Sequence, residues 1–470
     1  METTYKVRIW KIDVYKGKRK STFTVRWSVN GEEKRSPHGT LPLAEAFRSS
    51  LITAASKGEV FDVASGLPVS LLKAMKTGKS WFEFAIEYAD RRWPKTSASQ
   101  RKNTAQVLMM VTVALCGGFP DEFQPVRVRT ALRDWAYNKD RRESAPADVV
   151  DIIEWTKRNS PSMLAWTDTE VITAALDAIG TLLNGKPAAK SSIRRDRSIL
   201  HHVLRTAVER NLIAVHPFTL VQIDKVRSSR AIDKRSLLNH TQCKSMLAWI
   251  EARPRNGRCL HAFLAVIYYA GLRPEEAVVL CPADLTLPDE GWGEILAHDP
   301  APEIGRRWTD SGKTRDERRQ LKGRDCGETR PVPAHPALVR ILRAWIASPS
   351  PHPSRTAKPL APGDRLFRGE HGGDLAAIVY RRNWRAAREA VLTPEQVNSP
   401  LGQRVYVLRH VCLTTQLNSG VPPAQVAEWA GNSVAVLLST YVNCIRGSED
   451  ELKQRILDAL PDDEPAEDNK

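Results

Sequence analysis

The sequence predicts a mainly α-helical protein with small β elements. Its parts are an N-terminal β-rich module, a helical middle domain and an α-rich C-terminal domain with a β-hairpin. Three observations predict this. Apolar residues recur at three- and four-residue spacing over much of the chain after Trp81. Apolar–polar alternation dominates residues 5–35 and returns only briefly near Gly291. A chain of 470 residues is too long for one core, so several domains are expected.

A hydrophobic content of 42% supports ordinary cores and argues against wholesale disorder. The net charge of +16 points to a polyanionic partner, nucleic acid before membrane. A merely soluble basic protein is the plainer reading of the same number. The seven cysteines are scattered, and no two stand as C-x-x-C, which argues against a zinc site and a disulfide framework. The opening METTYKVRIWKID has no apolar leader segment, and no apolar run is long enough to span a bilayer. A cytoplasmic protein with reduced thiols is expected. Phosphate loops of the G-x-x-x-x-G-K-[ST] or G-x-G-x-x-G type are absent, which removes the simplest nucleotide-hydrolase readings.

In the first module (residues 1–68), Val7, Ile9, Ile12 and Val14 alternate with Lys6, Arg8 and Lys11. Lys18, Arg19 and Lys20 lie in a turn before Phe23, Val25, Trp27 and Val29, and Asn30-Gly31 signals a hairpin. The pattern predicts a three-stranded sheet, basic on one face and covered on the other by a helix over 43–57. A basic β-ribbon can enter a DNA groove. Lysines at a sheet edge also guard against aggregation, and both readings stand. Residues 58–79 read as a linker.

The middle domain (79–225) reads as helices beginning with Trp81, Phe82, Ala85, Ile86 and Ala89 on one face. Further helices are expected over 100–115, 121–137, 149–157 and 168–183. The clearest covers 191–211, with Leu200, Val203, Leu204 and Ala207 as its stripe. Arg194 and Arg195 decorate that helix, as solvated charge or as phosphate contacts. A basic linker (221–240) leads to the third domain (236–460). That domain has helices over 243–252 and 261–270, then a helix start at Pro274, where Glu275 and Glu276 suit the dipole. A strand over 291–297, a charged loop over 300–330 and helices over 336–347 and 374–391 follow. The last stretch, Tyr406 to Tyr441, reads as three short helices separated by Gly420 and Gly431. The acidic tail (461–470) is expected to be disordered.

Four pieces of the third domain occur in a telling order: A-G-L-R-P-E-E at 270–276, L-K-G-R at 321–324, L-R-H at 408–410, and A-G-N-S at 430–433 followed by Tyr441. Together they resemble the tyrosine recombinase (phage integrase) family, in the style of actinobacterial phage and mobile-element integrases. The resemblance covers most of 236–460. It implies that Tyr441 attacks a DNA phosphate, forming a 3′-phosphotyrosyl bond and freeing a 5′-hydroxyl with no metal, nucleotide or other cofactor. It implies that Arg273 and Arg409 hold the non-bridging oxygens, where planar donor forks suit the growing charge. Glu276 matches an acidic residue that orients the arginines. Lys322 matches the general acid for the leaving oxygen, with Lys313 as the alternative.

Two positions depart from the family pattern. Tyr406 stands where histidine is usual, three residues before the second arginine. Asn432 stands where histidine or tryptophan is usual, and it can still donate a hydrogen bond. A phenol with a pKa near 10 is a poor base, which puts base assistance to Tyr441 in doubt. His410, adjacent to Arg409, is expected to point elsewhere on the helix and to serve as a structural helper, not as the base. The resemblance further implies an arm-type DNA-binding module at the N-terminus and a core-binding middle domain. It implies tetramers on two double-stranded DNA sites, with accessory bending or directionality factors, and a nucleoid-associated bacterial location. A C-terminal helix, roughly 449–460, would dock on a neighbouring subunit. A type IB topoisomerase-like or telomere-resolving enzyme shares the chemistry, and a catalytically inactive DNA-binding protein is the alternative from another class.

Overall fold

The computed structural model describes residues 2–16, 21–38, 41–69, 78–224, 231–316, 329–349, 359–442, 444 and 449–459. Helices dominate, with three small sheets among the described residues. The chain divides into two compact units, Met1–Ser228 with Arg306–Gly312, and Ser229–Gly305 with Lys313–Lys470.

In the first unit, β1 (Thr3–Thr4), β2 (Val7–Ile9), β3 (Asp13–Lys16), β4 (Ser21–Val29) and β5 (Glu32–His38) precede α1 (Leu41–Ser56) and β6 (Phe61–Asp62). Strand β4 is central: β5 runs along one edge, while β2 and β3 share the other. Asn30 and Gly31 both take positive φ, 52° and 91°, as a two-residue hairpin of this twist requires. Val25, Trp27 and Val29 are buried in the module's small core with Ala44 and Leu51 of α1. The segment read as a linker folds back in part. Phe61 is buried in that core, β6 pairs with β1, and Trp27 Nε1 donates to the Gly66 carbonyl at 2.6 Å. The face read as basic carries acids as well: Arg26 binds Glu33 at 2.7 Å and Asp13 at 3.0 Å. Lys18, Arg19 and Lys20 lie outside the described residues.

The helices of this unit are α2 (Trp81–Arg92), α3 (Ala98–Leu115), α4 (Pro125–Ala131), α5 (Ala147–Asn159), α6 (Thr169–Gly180) and α7 (Lys190–Glu209). Ser80 caps α2 in a reciprocal box with Glu83, which explains its sharp start. Asp196, Leu200, Val203, Leu204 and Ala207 form the buried side of α7. Arg194 and Arg195 are exposed on it, and Arg195 is paired with Asp196. Residues 306–312 also belong to this unit. There Arg101 grips Asp310 at 2.6 Å, Asn138 donates to the Arg307 carbonyl, and Trp308 packs near Trp93.

The second unit contains α8 (His240–Glu251), α9 (Gly257–Ala270), α10 (Pro274–Ala277), β7 (Leu285–Thr286), β8 (Gly293–Ala297) and β9 (Arg330–Ala334). It continues with α11 (Pro336–Ala347), α12 (Ala377–Val391), α13 (Pro394–Val397), α14 (Val407–Asn418), α15 (Pro423–Ala430), α16 (Val434–Tyr441) and α17 (Glu449–Ala459). The middle of α9 is apolar all round, and Leu260 and Phe263 through Ile267 are all buried. A helix of that kind belongs at the centre of a core, and α8, α11 and α14 pack against it. A separate apolar cluster joins α14, α15 and α16 through Leu413, Leu417, Val426, Ala430, Leu437 and Tyr441. The three-stranded antiparallel sheet has the order β7-β8-β9.

Candidate active site

The site is built where α9 ends, α10 begins, and α14 to α16 fold over them. Arg273 occupies the position just before α10, and the Glu276 carboxylate accepts its backbone N–H at 2.8 Å. That return bond fixes the backbone on which the Arg273 side chain is aimed. The Arg273 guanidinium donates to Glu276 Oε1 at 2.7 Å, to the Gly431 carbonyl at 2.9 Å and to Asn432 Oδ1 at 2.6 Å. Arg409, on α14, donates to the Gly271 carbonyl at 2.5 Å and the Ala430 carbonyl at 2.7 Å. Its guanidinium reaches within 4.0 Å of Glu276. It is 1% exposed, so it is enclosed in this state.

Glu276 is fully buried, and its charge survives only because of its neighbours. Burial raises its pKa, but Arg330, Arg273 and Arg409 together outweigh burial and hold it down at about 2. Arg330 is the member that sequence reasoning missed. It is fully buried on β9 and donates to both Glu276 oxygens, at 3.3 and 3.1 Å. A signal was present. Arg330, Val332 and Ala334 share the inward face of β9, so an arginine stands at a core position of an alternating strand. Such a charge requires a buried partner. Gly431 makes room for the cluster: it has φ +60°, and a Cβ there would collide with Arg330 Nη1.

The nucleophile candidate faces different surroundings. Tyr441, at the end of α16, is 2% exposed. Its hydroxyl lies 2.9 Å from His410 Nδ1. His410 was expected to point elsewhere on the helix than Arg409, but it reaches Tyr441. Arg409 and His410 are adjacent on α14, and α16 closes over the side His410 presents, so both neighbours face the site. The Tyr406 ring lies edge-on to His410, with centroids 5.0 Å apart. Burial raises the Tyr441 pKa well above the ordinary phenol value, opposed by Arg409. Burial, then Arg409, lowers that of His410 to about 4. The imidazole is therefore neutral at neutral pH.

The structure thus brings Arg273, Glu276, Tyr406, Arg409, Asn432 and Tyr441 together. Lys322 lies outside the described residues, and Lys313 is exposed. Arg194 and Arg195 belong to the other unit. Beside Tyr406 opens a groove of about 510 Å³ lined by Arg381, Arg385, Gln403 and Arg404 among others, a surface suited to a polyanion. Among the described residues no cluster of three metal-ligating side chains occurs, and no helix is long and apolar enough to cross a membrane.

No family model matches the sequence, and no curated protein matches it. Several solved structures are similar. One is the Tn1549 transposon integrase in complex with transposon right-end DNA, at 14% identity and TM-score 0.48, covering 81% of this chain and 99% of that one. Another is the XerH site-specific recombinase bound to a palindromic difH substrate, at 14% identity and TM-score 0.43, covering 77% and 96%. A third is the catalytic domain of bacteriophage HP1 integrase, at 15% identity and TM-score 0.29, covering 48% and 98%. At identities of this order, the reacting residues have to be read from the site itself.

Proposed function

We propose that this protein is a tyrosine-type site-specific DNA recombinase, serving a mobile element by breaking and rejoining DNA through a 3′-phosphotyrosyl intermediate. The observation that carries the reading is the joining of Arg273 to Gly431 and Asn432, which draws the two halves of the sequence motif into one site. Arg273 and Arg409 supply the forks for the phosphate, Glu276 orients them, and Tyr441 is the nucleophile. Lys322 remains the proposed general acid. The solved relatives bound to DNA support double-stranded DNA as the partner.

Action as a tetramer on two sites belongs to the same proposal. Helix α17 exposes Ile456 and Leu457, and an aromatic groove of about 620 Å³ between Tyr268, Tyr269, Trp292 and Trp429 could receive α17 of another copy. The test is covalent trapping. The full chain is incubated with a library of nicked duplexes randomised around the nick, then denatured, and the attached DNA is sequenced. A denaturant-resistant adduct with one recovered sequence motif is expected for the wild type and none for Tyr441→Phe. No adduct from the wild type, or an equal one from Tyr441→Phe, sinks the reading. Rejoining that depends on a second site separates recombination from a topoisomerase-like activity.

A further inference from the structure

A buried phenol does not ionise by itself at neutral pH, so Tyr441 requires a proton acceptor within hydrogen-bond reach. Tyr406 and Asn432, the two residues that depart from the family pattern, both fail that requirement. Asn432 has no basic nitrogen, and its Oδ1 already accepts from Arg273. Tyr406 offers only a phenol, and a neutral phenol oxygen is a weak base. His410 meets the requirement in geometry: Nδ1 sits 2.9 Å from the Tyr441 hydroxyl, and the two rings lie edge to face, with centroids 5.7 Å apart.

We infer that His410, and neither Tyr406 nor Asn432, takes the phenolic proton of Tyr441 as the tyrosine attacks phosphorus. The inference rests on the recombinase reading above. In the cleavage step the Tyr441 O–H bond breaks and an N–H bond forms at His410 Nδ1, while Oη bonds to phosphorus. The P–O5′ bond breaks, and its electron pair leaves on the 5′-oxygen, which receives a proton from the acid on that side. In rejoining, each transfer runs backward, and His410 returns its proton to Tyr441. The tautomer with hydrogen on Nε2 leaves Nδ1 free to accept. Arg409 disfavours the imidazolium in the resting site. A phosphate seated among the arginines would bring the negative charge that stabilises the imidazolium as it forms. Tyr406, packed edge-on against the imidazole, holds the ring in place.

The test uses the duplex recovered by covalent trapping, the full chain and single-turnover cleavage. His410→Gln retains a hydrogen-bonding side chain but cannot take the proton. It is expected to bind the duplex as the wild type does and to form adduct roughly 100-fold more slowly. His410→Ala is expected to regain rate when imidazole is added. A duplex with sulfur in place of the 5′-bridging oxygen, whose leaving group needs no acid, is expected to leave His410→Gln slow. Cleavage by His410→Gln within about threefold of the wild type overturns the inference, as does its full rescue by bridging sulfur, which would put His410 on the leaving-group side. In both cases an adduct on Tyr441 leaves the recombinase reading intact. Absence of any wild-type adduct overturns both.

Discussion

The two halves of the candidate site are held in opposite ways. The arginine half is ionic and deeply anchored: one buried carboxylate faces three arginines, just before α10, on β9 and on α14, around the central core. The tyrosine half is neutral and lightly anchored. Helix α16 buries only Leu437 and Tyr441 among its eight residues, while Val434, Val436 and Leu438 face solvent. On the proposed reading the arginine half binds the phosphate, and it is charged before substrate arrives, so that its charge need not be reoriented during reaction. On the same reading Tyr441 is the nucleophile, and its burial beside a neutral imidazole keeps it protonated until then. The contrast teaches that these two tasks call for opposite electrostatics, placed here on separate elements.

Removing the shared carboxylate tests the arginine half most severely. Glu276→Ala leaves two buried guanidinium groups, Arg330 and Arg409, and half-buried Arg273 without their counter-charge, and is expected to destabilise the protein by about 3–5 kcal/mol. Denaturant unfolding measures this, and a loss under 1 kcal/mol would show that the arginines find other partners.

Acid separates the halves, because their pH windows overlap only between about 4.5 and 4. His410 has a folded pKa of about 4 against an ordinary 6.5. The unfolded chain therefore takes up its proton first, and the stability from the neutral imidazole, present above pH 6.5, is lost as pH falls toward 4. The loss is up to roughly 3 kcal/mol. Glu276 is depressed to about 2 from 4.5, so its contribution is lost only below pH 4.5. Thermal unfolding of the wild type and His410→Gln should converge between pH 6.5 and 4. A gap that stays constant over that range would show that the imidazole is not buried in its neutral form.

A smaller perturbation touches the seam between the halves. Gly431→Ala forces a side chain into a left-handed backbone and against Arg330, whose guanidinium is held by Glu276. A loss of about 1–2 kcal/mol is expected, with slower adduct formation as Arg330 shifts. Unfolding and trapping measured on the same variant check both. A change in neither would mean that Arg330 relaxes freely.

Much of the fold was legible because helical periodicity and cap residues are local signals. The mainly α architecture with small sheets is as expected, and the helix Pro336–Ala347 was read to the residue. Misreadings occurred where partners lie far away in sequence. Phe61 looked like linker because β1, its strand partner, is nearly sixty residues away. Residues 306–312 carry no local mark that they belong with the first unit. At the site, Arg273, Glu276, Arg409 and Tyr441 were named from motif order. Arg330 was passed over because an arginine in a charged segment resembles solvated charge until its strand face is known. His410 was misjudged because helix geometry gives its angle from Arg409 but not where α16 lies.

The sequence alone determined which residue types were available: arginine forks, one acid three residues after the first, a tyrosine ten residues beyond a glycine stop, and two altered positions. Those are matters of composition and spacing along one chain. Only the tertiary structure decided that Glu276 is shared among three arginines and that Tyr441 rests on His410. Both depend on burial, which decides whether a charge needs a partner and whether a phenol keeps its proton, and burial arises only when distant segments pack.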